Sequence, residues 1–225
     1  MKRCTAIITI AMATLTSIAT AVELEPFIKL GTFDTTENNH DTATAHKVML
    51  GAGLNIHFDA DEKAFKKIIG FEYDTMSEPK DEDIEMISDI MSLVGKLTYD
   101  IKLTDETTLY PIGGLKLQSW RRNSPKDQKQ FWGDLLFAEG IAGIGLKQEK
   151  FFAELEANLP FWSTTDSGHE PTGNLGLNAR FGITPNKRLS FGLYYASNSF
   201  DGDGSQGDFG LEQYGLFVAY KFPHN

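Results

Sequence analysis

The stretch Tyr214-Gly215-Leu216-Phe217-Val218-Ala219-Tyr220-Lys221-Phe222 decides the fold. In a strand, successive side chains point to opposite faces. Tyr214, Leu216, Val218, Tyr220 and Phe222 then share one face, and Gly215, Phe217, Ala219 and Lys221 the other. The first face is large and apolar throughout. It either packs into a core or meets a medium that is not water.

The start of the chain narrows that choice. Met1-Lys2-Arg3 is basic, Ala6 to Ile18 carries no charge, and Ala19-Thr20-Ala21 fits a small-residue cleavage site. Residues 1–21 therefore read as a secretory signal peptide, and 22–225 as one domain. The uncharged run is shorter than the ~20 residues of a membrane-spanning helix. Cys4 is the only cysteine and falls in the signal, so the mature chain is expected to have no disulfide. The formal charge is -10, and loss of Lys2 and Arg3 with no acid takes it to -12. That balance excludes nucleic-acid binding through bulk charge. Mean hydropathy is -0.26. A hydropathy profile reads such a chain as soluble, but transmembrane β-barrels escape that test because each strand's signal is weak.

Period-two alternation recurs along the whole mature chain. It is seen from Val48 to Phe58, from Leu93 to Ile101, from Phe151 to Phe161 and from Leu175 to Ile183. Short polar connections are expected at 59–63, 104–107, 147–150 and 184–188, where turn-forming residues cluster. Longer ones are expected at about 34–46, 75–90, 121–134, 163–173 and 201–210. Short and long connections alternate strictly. Counting from Leu24 gives an all-β chain of about ten antiparallel strands, with eight or twelve as alternatives, each near the ~9–11 residues that cross a membrane. Asp83 to Met91 also fits helical spacing through Ile84, Ile87 and Ile90, so it reads either as a short helix or as an extension of the fourth strand.

Alternation does not say which face is wet. Four features turn the apolar set outward. Charges of both signs sit on the opposite set well inside the strands: Lys29, Glu72, Lys96, Asp100, Lys116, Glu139, Glu154, Glu156, Arg180 and Lys221. Glycine crowds that same set, and it suits an interior that must hold long charged neighbours. Apolar-face aromatics gather toward the strand ends, Phe58, Phe151, Tyr220 and Phe222 near the short turns, Tyr73, Phe161 and Tyr195 toward the long loops. This is the pattern of two interfacial girdles. Short turns at one end and long loops at the other complete the outer-membrane pattern. The acids and bases of the inner set nearly match in number, which predicts cross-strand pairing in a narrow, mostly closed lumen.

The closing segment resembles the terminal strand signal of bacterial outer-membrane β-barrels, with hydrophobic residues at alternate positions and an aromatic last. The family's pattern ends on the aromatic, whereas Pro223-His224-Asn225 follows here. The resemblance implies a closed up-and-down barrel in the bacterial outer membrane, with lipid as a partner. It also implies that insertion machinery reads Tyr214, Leu216, Val218, Tyr220 and Phe222. Tyr195-Ala196-Ser197-Asn198 is similar to the His-x-Ser-Asn segment of outer-membrane lipid A deacylases, which makes Ser197 a candidate nucleophile. Tyr195 stands where the histidine would be and is a poor general base, with a pKa near ~10. His40, His46, His57 and His169 lack the spacing of a metal site. Asp201-Gly202-Asp203 resembles a calcium loop without the twelfth-position glutamate. No metal or cofactor is expected. The function read from the sequence is a non-enzymatic barrel with a structural or surface role. The alternatives are a narrow pore and a lipid-acting hydrolase.

Overall fold

The computed structural model describes residues 22–38, 42–59, 65–76, 86–123, 134–202 and 208–222. Residues 1–21, His40, Asp41, Asp81 to Asp83, Asp203 and Pro223-His224-Asn225 lie outside that set. So do the expectations attached to them, including the signal and its cleavage site.

Ten strands form the wall: β1 (Val22–Asn38), β2 (Thr42–Asp59), β3 (Phe65–Met76), β4 (Met86–Tyr99), β6 (Thr107–Asn123), β7 (Leu135–Gln148), β8 (Phe151–Thr165), β10 (Gly176–Ile183), β11 (Leu189–Asp201) and β12 (Phe209–Tyr220). Two two-residue strands complete the order. β5 (Ile101–Lys102) continues β4 against β6, and β9 (Thr172–Gly173) pairs with β11. Every wall strand pairs antiparallel with its sequence neighbour, and β1 pairs with β12. The seam runs from Phe27↔Ala219 to Glu37↔Phe209, and an isolated bridge joins Leu24 to Phe222. The ring is therefore closed. The opening stretch is its last strand, as the alternation predicts.

The outer wall is apolar. Leu30, Leu50, Leu115, Leu155, Leu193 and Leu216 are each more than half exposed. The exposed large apolar side chains on β12 are Tyr214, Leu216, Val218 and Tyr220, with Phe222 just beyond it, while Phe217 and Ala219 are buried inside. In water this wall would be a large uncovered apolar surface. In lipid it is the solvated face. Exposed aromatics cluster toward the short-turn end, where Phe65 packs on Tyr99 with ring centroids 4.8 Å apart and Tyr220 on Phe222 at 4.8 Å. Tyr73, Phe161 and Trp162 mark the other end. Phe161 is unpaired in a bulge, since Ala138 faces Trp162 and Glu139 faces Pro160. The extra residue lets two consecutive aromatics reach lipid. Phe58, expected in the girdle, is instead only 7% exposed.

Several expected loops are strand. The first long connection was placed at 34–46, but β1 runs to Asn38 and β2 starts at Thr42, with Asn38 facing Thr42. Thr-rich and Ala-rich segments on both sides form a ladder that continues past the last apolar pairs. Residues 86–91 belong to β4, which resolves the helix-or-strand alternative there in favour of the strand. A bulge between Ile87 and Asp89 shifts the register in that segment.

The turns at the other end are short and side-chain capped. Glu149 takes φ 47° in the two-residue β7–β8 turn. Asn186 Oδ1 accepts the Arg188 and Leu189 N–H groups at 2.8 and 2.9 Å. Thr104 Oγ1 accepts those of Glu106 and Thr107 at 3.3 and 3.0 Å.

The lipid-facing assignment predicts a depth-dependent cost for charge. Leu155 lies midway along the exposed band of β8, so Leu155→Arg should destabilise the barrel by about 2–4 kcal/mol in urea titrations from lipid vesicles. An unchanged midpoint would place that face elsewhere.

Candidate functional site in the barrel lumen

The inner face is divided along the barrel axis. Toward the long-loop end it is aromatic and apolar. Phe33, Met49, Ile90, Trp120, Leu135, Phe137 and Phe200 are at most 2% exposed, and Phe209 only 5%. Trp120 is the hub. Its ring centroid lies 5.2 Å from Phe137, 5.6 Å from Phe200 and 6.4 Å from Phe209, all edge-on. Phe200 stacks on Phe209 at 5.2 Å. Edge and offset contacts of this kind are worth about 0.5–1.5 kcal/mol each beyond their burial. This plug corrects the reading of the lumen as only a glycine and charged set. Strict alternation already placed Phe33, Trp120, Phe137, Phe200 and Phe209 on the inner parity. Their apolar character hid them, because the apolar face had been assigned to lipid.

Under the plug lies a polar layer. Trp120 Nε1 donates to Gln118 Oε1 at 3.3 Å, and Gln118 Nε2 donates to Ser92 at 2.8 Å. Asn198 reaches Gln118 across the lumen at 3.4 Å. Gln213 donates to Asp74 at 3.4 Å and contacts the Met49 sulfur at 3.1 Å.

Below this layer come the charges. Lys29 pairs with Glu72, and with Asp74 at 2.9 Å. Lys96 pairs with Glu156 at 2.5 Å, Lys116 with Glu139 at 2.9 Å, and Arg180 with Glu154 at 3.5 Å. Tyr110 also donates to Glu154 at 2.9 Å. Asp100 and Lys221 lie lower, at the short-turn mouth, on Lys66 at 2.5 Å and on Glu23 at 2.9 Å. Each of the ten charged residues singled out from sequence thus has an ionic partner. Asp74, Glu25, His57, Lys66 and Glu23 were not singled out. Glu25 pairs with His57 at 3.5 Å and accepts from Asn55 at 3.1 Å. Partner choice depends on which strands face each other across the lumen, and parity alone does not give that.

Three of these contacts cross over one or two strands, and a glycine lies beneath each. Lys29 on β1 reaches β3 over Gly51 of β2. Tyr110 on β6 reaches β8 over Gly145 of β7. Lys96 on β4 reaches β8 past Gly143 of β7. A Cβ added at Gly51 would strike Asp74 and Lys29, and one at Gly145 would enter the Tyr110 ring. At Gly143 it would meet Glu156 Cγ at 2.9 Å. Gly51, Gly143 and Gly145 are clearances for side chains anchored on neighbouring strands.

A cavity of about 520 Å³ occupies the space around these bridges. Its lining includes turn residues Lys150, Pro185 and Lys187 at one end, and Ile90, Gln118, Asn198 and Leu211 at the other. The second group lies directly under the plug. Among the described residues the lumen is therefore a well, open at the short-turn end and closed at the long-loop end.

Ser197 lies on the outer parity of β11, where its Oγ accepts the Leu177 N–H at 3.3 Å. His57 faces Glu25 inside the barrel, and His169 N–H donates to Thr165 Oγ1 at 2.9 Å in the β8–β9 connection. Asp201 accepts from Asn174 at 2.6 Å. Among the described residues no three His, Cys, Asp or Glu side chains converge as metal ligands.

A closed ring of ten antiparallel strands, apolar outside and charged inside, with short turns at one end, is an integral membrane β-barrel of the bacterial outer-membrane class. No protein-family model and no curated protein matches the chain. Among solved structures it is similar to Neisserial surface protein A, at 9% identity and TM-score 0.43, over 89% of this chain and 97% of that one. It is also similar to the translocator domain of the autotransporter NalP from Neisseria meningitidis, at 10% identity and TM-score 0.48, over 98% and 95%. A third is Ail, the attachment invasion locus protein of Yersinia pestis, at 10% identity and TM-score 0.38, over 89% and 98%.

The clearance argument separates two kinds of glycine. Gly51→Val should cost about 1–3 kcal/mol, because Lys29 and Asp74 must move off their bridge. Gly95 faces outward with nothing within 4 Å of an added Cβ. Gly95→Val should stay within about 0.5 kcal/mol of the parent. Equal losses in urea unfolding would remove the distinction.

Proposed function

We propose that this chain is a non-conducting integral barrel of the bacterial outer membrane, with a structural or surface-interaction role. The observation that carries the reading is the Trp120-centred plug. Among the described residues it packs rings against one another inside the long-loop end of the lumen. The β1–β2 ladder supports the surface role. It continues from Thr32↔Val48 to Asn38↔Thr42, beyond the apolar band, and forms the base of a hairpin at that end. Paired lumen charges supply closure without a hydrated channel, since each buried charge keeps a partner.

A narrow pore is the second reading, favoured by the well itself, which needs only displacement of the plug to become continuous. Planar-bilayer recording separates the two. The parent protein should give no sustained single-channel events, and Trp120→Ala with Phe200→Ala should give measurable leak. Regular openings of the parent would establish the pore instead.

Insertion machinery is proposed to read the outer face of β12. Phe222 is 51% exposed and joins the ring through the Leu24 bridge, so its side chain is available before and after closure. Phe222→Ala should slow appearance of the heat-modifiable folded band in cells by several-fold, with little change in the stability of barrels once formed. Wild-type assembly kinetics would show that this residue is not read.

A further inference from the structure

The deep charges of the well are paired, but those at its mouth are not balanced. Lys147, Lys150 and Lys187 line the cavity, and none has an acidic side chain within ion-pair distance among the described residues. Glu149 is the one acid of the cavity lining at that mouth, and Asp100 and Glu23, close by, are held by Lys66 and Lys221. Two of the lysines stand on adjacent turns held together by backbone. The Thr184 N–H donates to the Lys150 carbonyl at 2.6 Å, next to the turn that carries Lys187.

Farther in, Arg180 is incompletely used. A guanidinium has five N–H donors. Its one side-chain hydrogen bond among the described residues is to Glu154 at 3.5 Å, Glu25 and Glu156 act on it from farther away, and 34% of the side chain is accessible. Its carbon lies 4.4 Å from the Phe217 ring centroid and 6.0 Å from that of Phe152. The two rings are 6.0 Å apart. An arginine held on aromatic rings with free donors is suited to planar recognition of a carboxylate, sulfonate or phosphate. The surrounding rings and the aliphatic Ile68 and Ile112 offer surface to an apolar body. About 520 Å³ is within the range of small-molecule sites, about 300–1,000 Å³.

We infer that the well is a binding site for a small soluble organic anion with a flat apolar body, entering from the short-turn side. Arg180 takes the anionic group, Phe152 and Phe217 take the body, and the three mouth lysines draw the anion in. The inference is independent of whether the barrel conducts.

The test uses the barrel in nanodiscs of zwitterionic lipid, with empty nanodiscs subtracted. Calorimetric titrations compare 2-naphthoate with 2-naphthylmethylammonium, which shares its ring system and carries the opposite charge. The anion is expected to bind at least about tenfold more tightly than the cation, a difference of ~1.4 kcal/mol. Raising salt should weaken anion binding. Arg180→Gln should lower anion affinity about tenfold or more while the folded band remains heat-modifiable. If Arg180→Gln does not fold, the Lys147→Gln, Lys150→Gln and Lys187→Gln triple variant, changed only at exposed mouth positions, must lower it several-fold. Equal affinity for the two probes would overturn the site. So would unchanged anion affinity in a folded Arg180→Gln barrel, or in the triple variant when Arg180→Gln is lost.

Discussion

The seam between β1 and β12 is the contact on which the rest of the molecule depends. In hydrocarbon no water is present to take up an unpaired N–H or C=O, and each such group costs several kcal/mol. An open sheet would expose two such edges. The pairing from Phe27↔Ala219 to Glu37↔Phe209 removes both. Once the ring closes, each side chain faces either lipid or the lumen, and the two solvents sort the sequence. Leu, Val, Phe and Tyr go outward on β12, and Gly215, Phe217, Ala219 and Lys221 go inward.

Closure creates a second problem, because a ring of ten strands encloses a narrow space that must be filled or hydrated. This chain does both, in different halves. At the long-loop end large aromatic side chains pack against one another inside the ring. At the short-turn end charged side chains reach over glycines to partners on other strands and leave a cavity between them. The polar layer of Ser92, Gln118, Asn198 and Gln213 joins the two, bonded to the plug through the Trp120 N–H and the Met49 sulfur. The lumen is therefore polarised, closed where the long loops are and open where the turns are.

The pairing of the interior charges also has a consequence for chemistry. Lys29, Lys96 and Lys116 are held by carboxylates at bonding distance, which reduces their capacity to bind anything else. Arg180 differs, because its single carboxylate contact is long and its face rests on Phe217. Position within the well, more than charge, sets which cation remains available to a ligand.

The sequence by itself determined the strand period, the direction of the apolar face, a count of about ten strands and the closing role of Tyr214 to Phe222, and the closed ring chose ten over eight or twelve. These follow from parity and turn chemistry, which are local. It also marked the inner charges, because a charge on the glycine-rich parity has no place in lipid. Other features were not legible. Phe33, Trp120, Phe137, Phe200 and Phe209 share the inner parity with those charges, but no local rule says that aromatics from five strands converge at one height. Asp74 became a partner of Lys29 only when β1 was set against β3, and Glu25 of His57 only when β1 was set against β2. The ladder through Asn38↔Thr42 replaced an expected loop, because pairing between neighbouring strands outweighed weak local propensity. Only the tertiary structure decided these points, since each depends on axial stagger and on contacts across the lumen. Those are properties of the closed ring, and no single strand contains them.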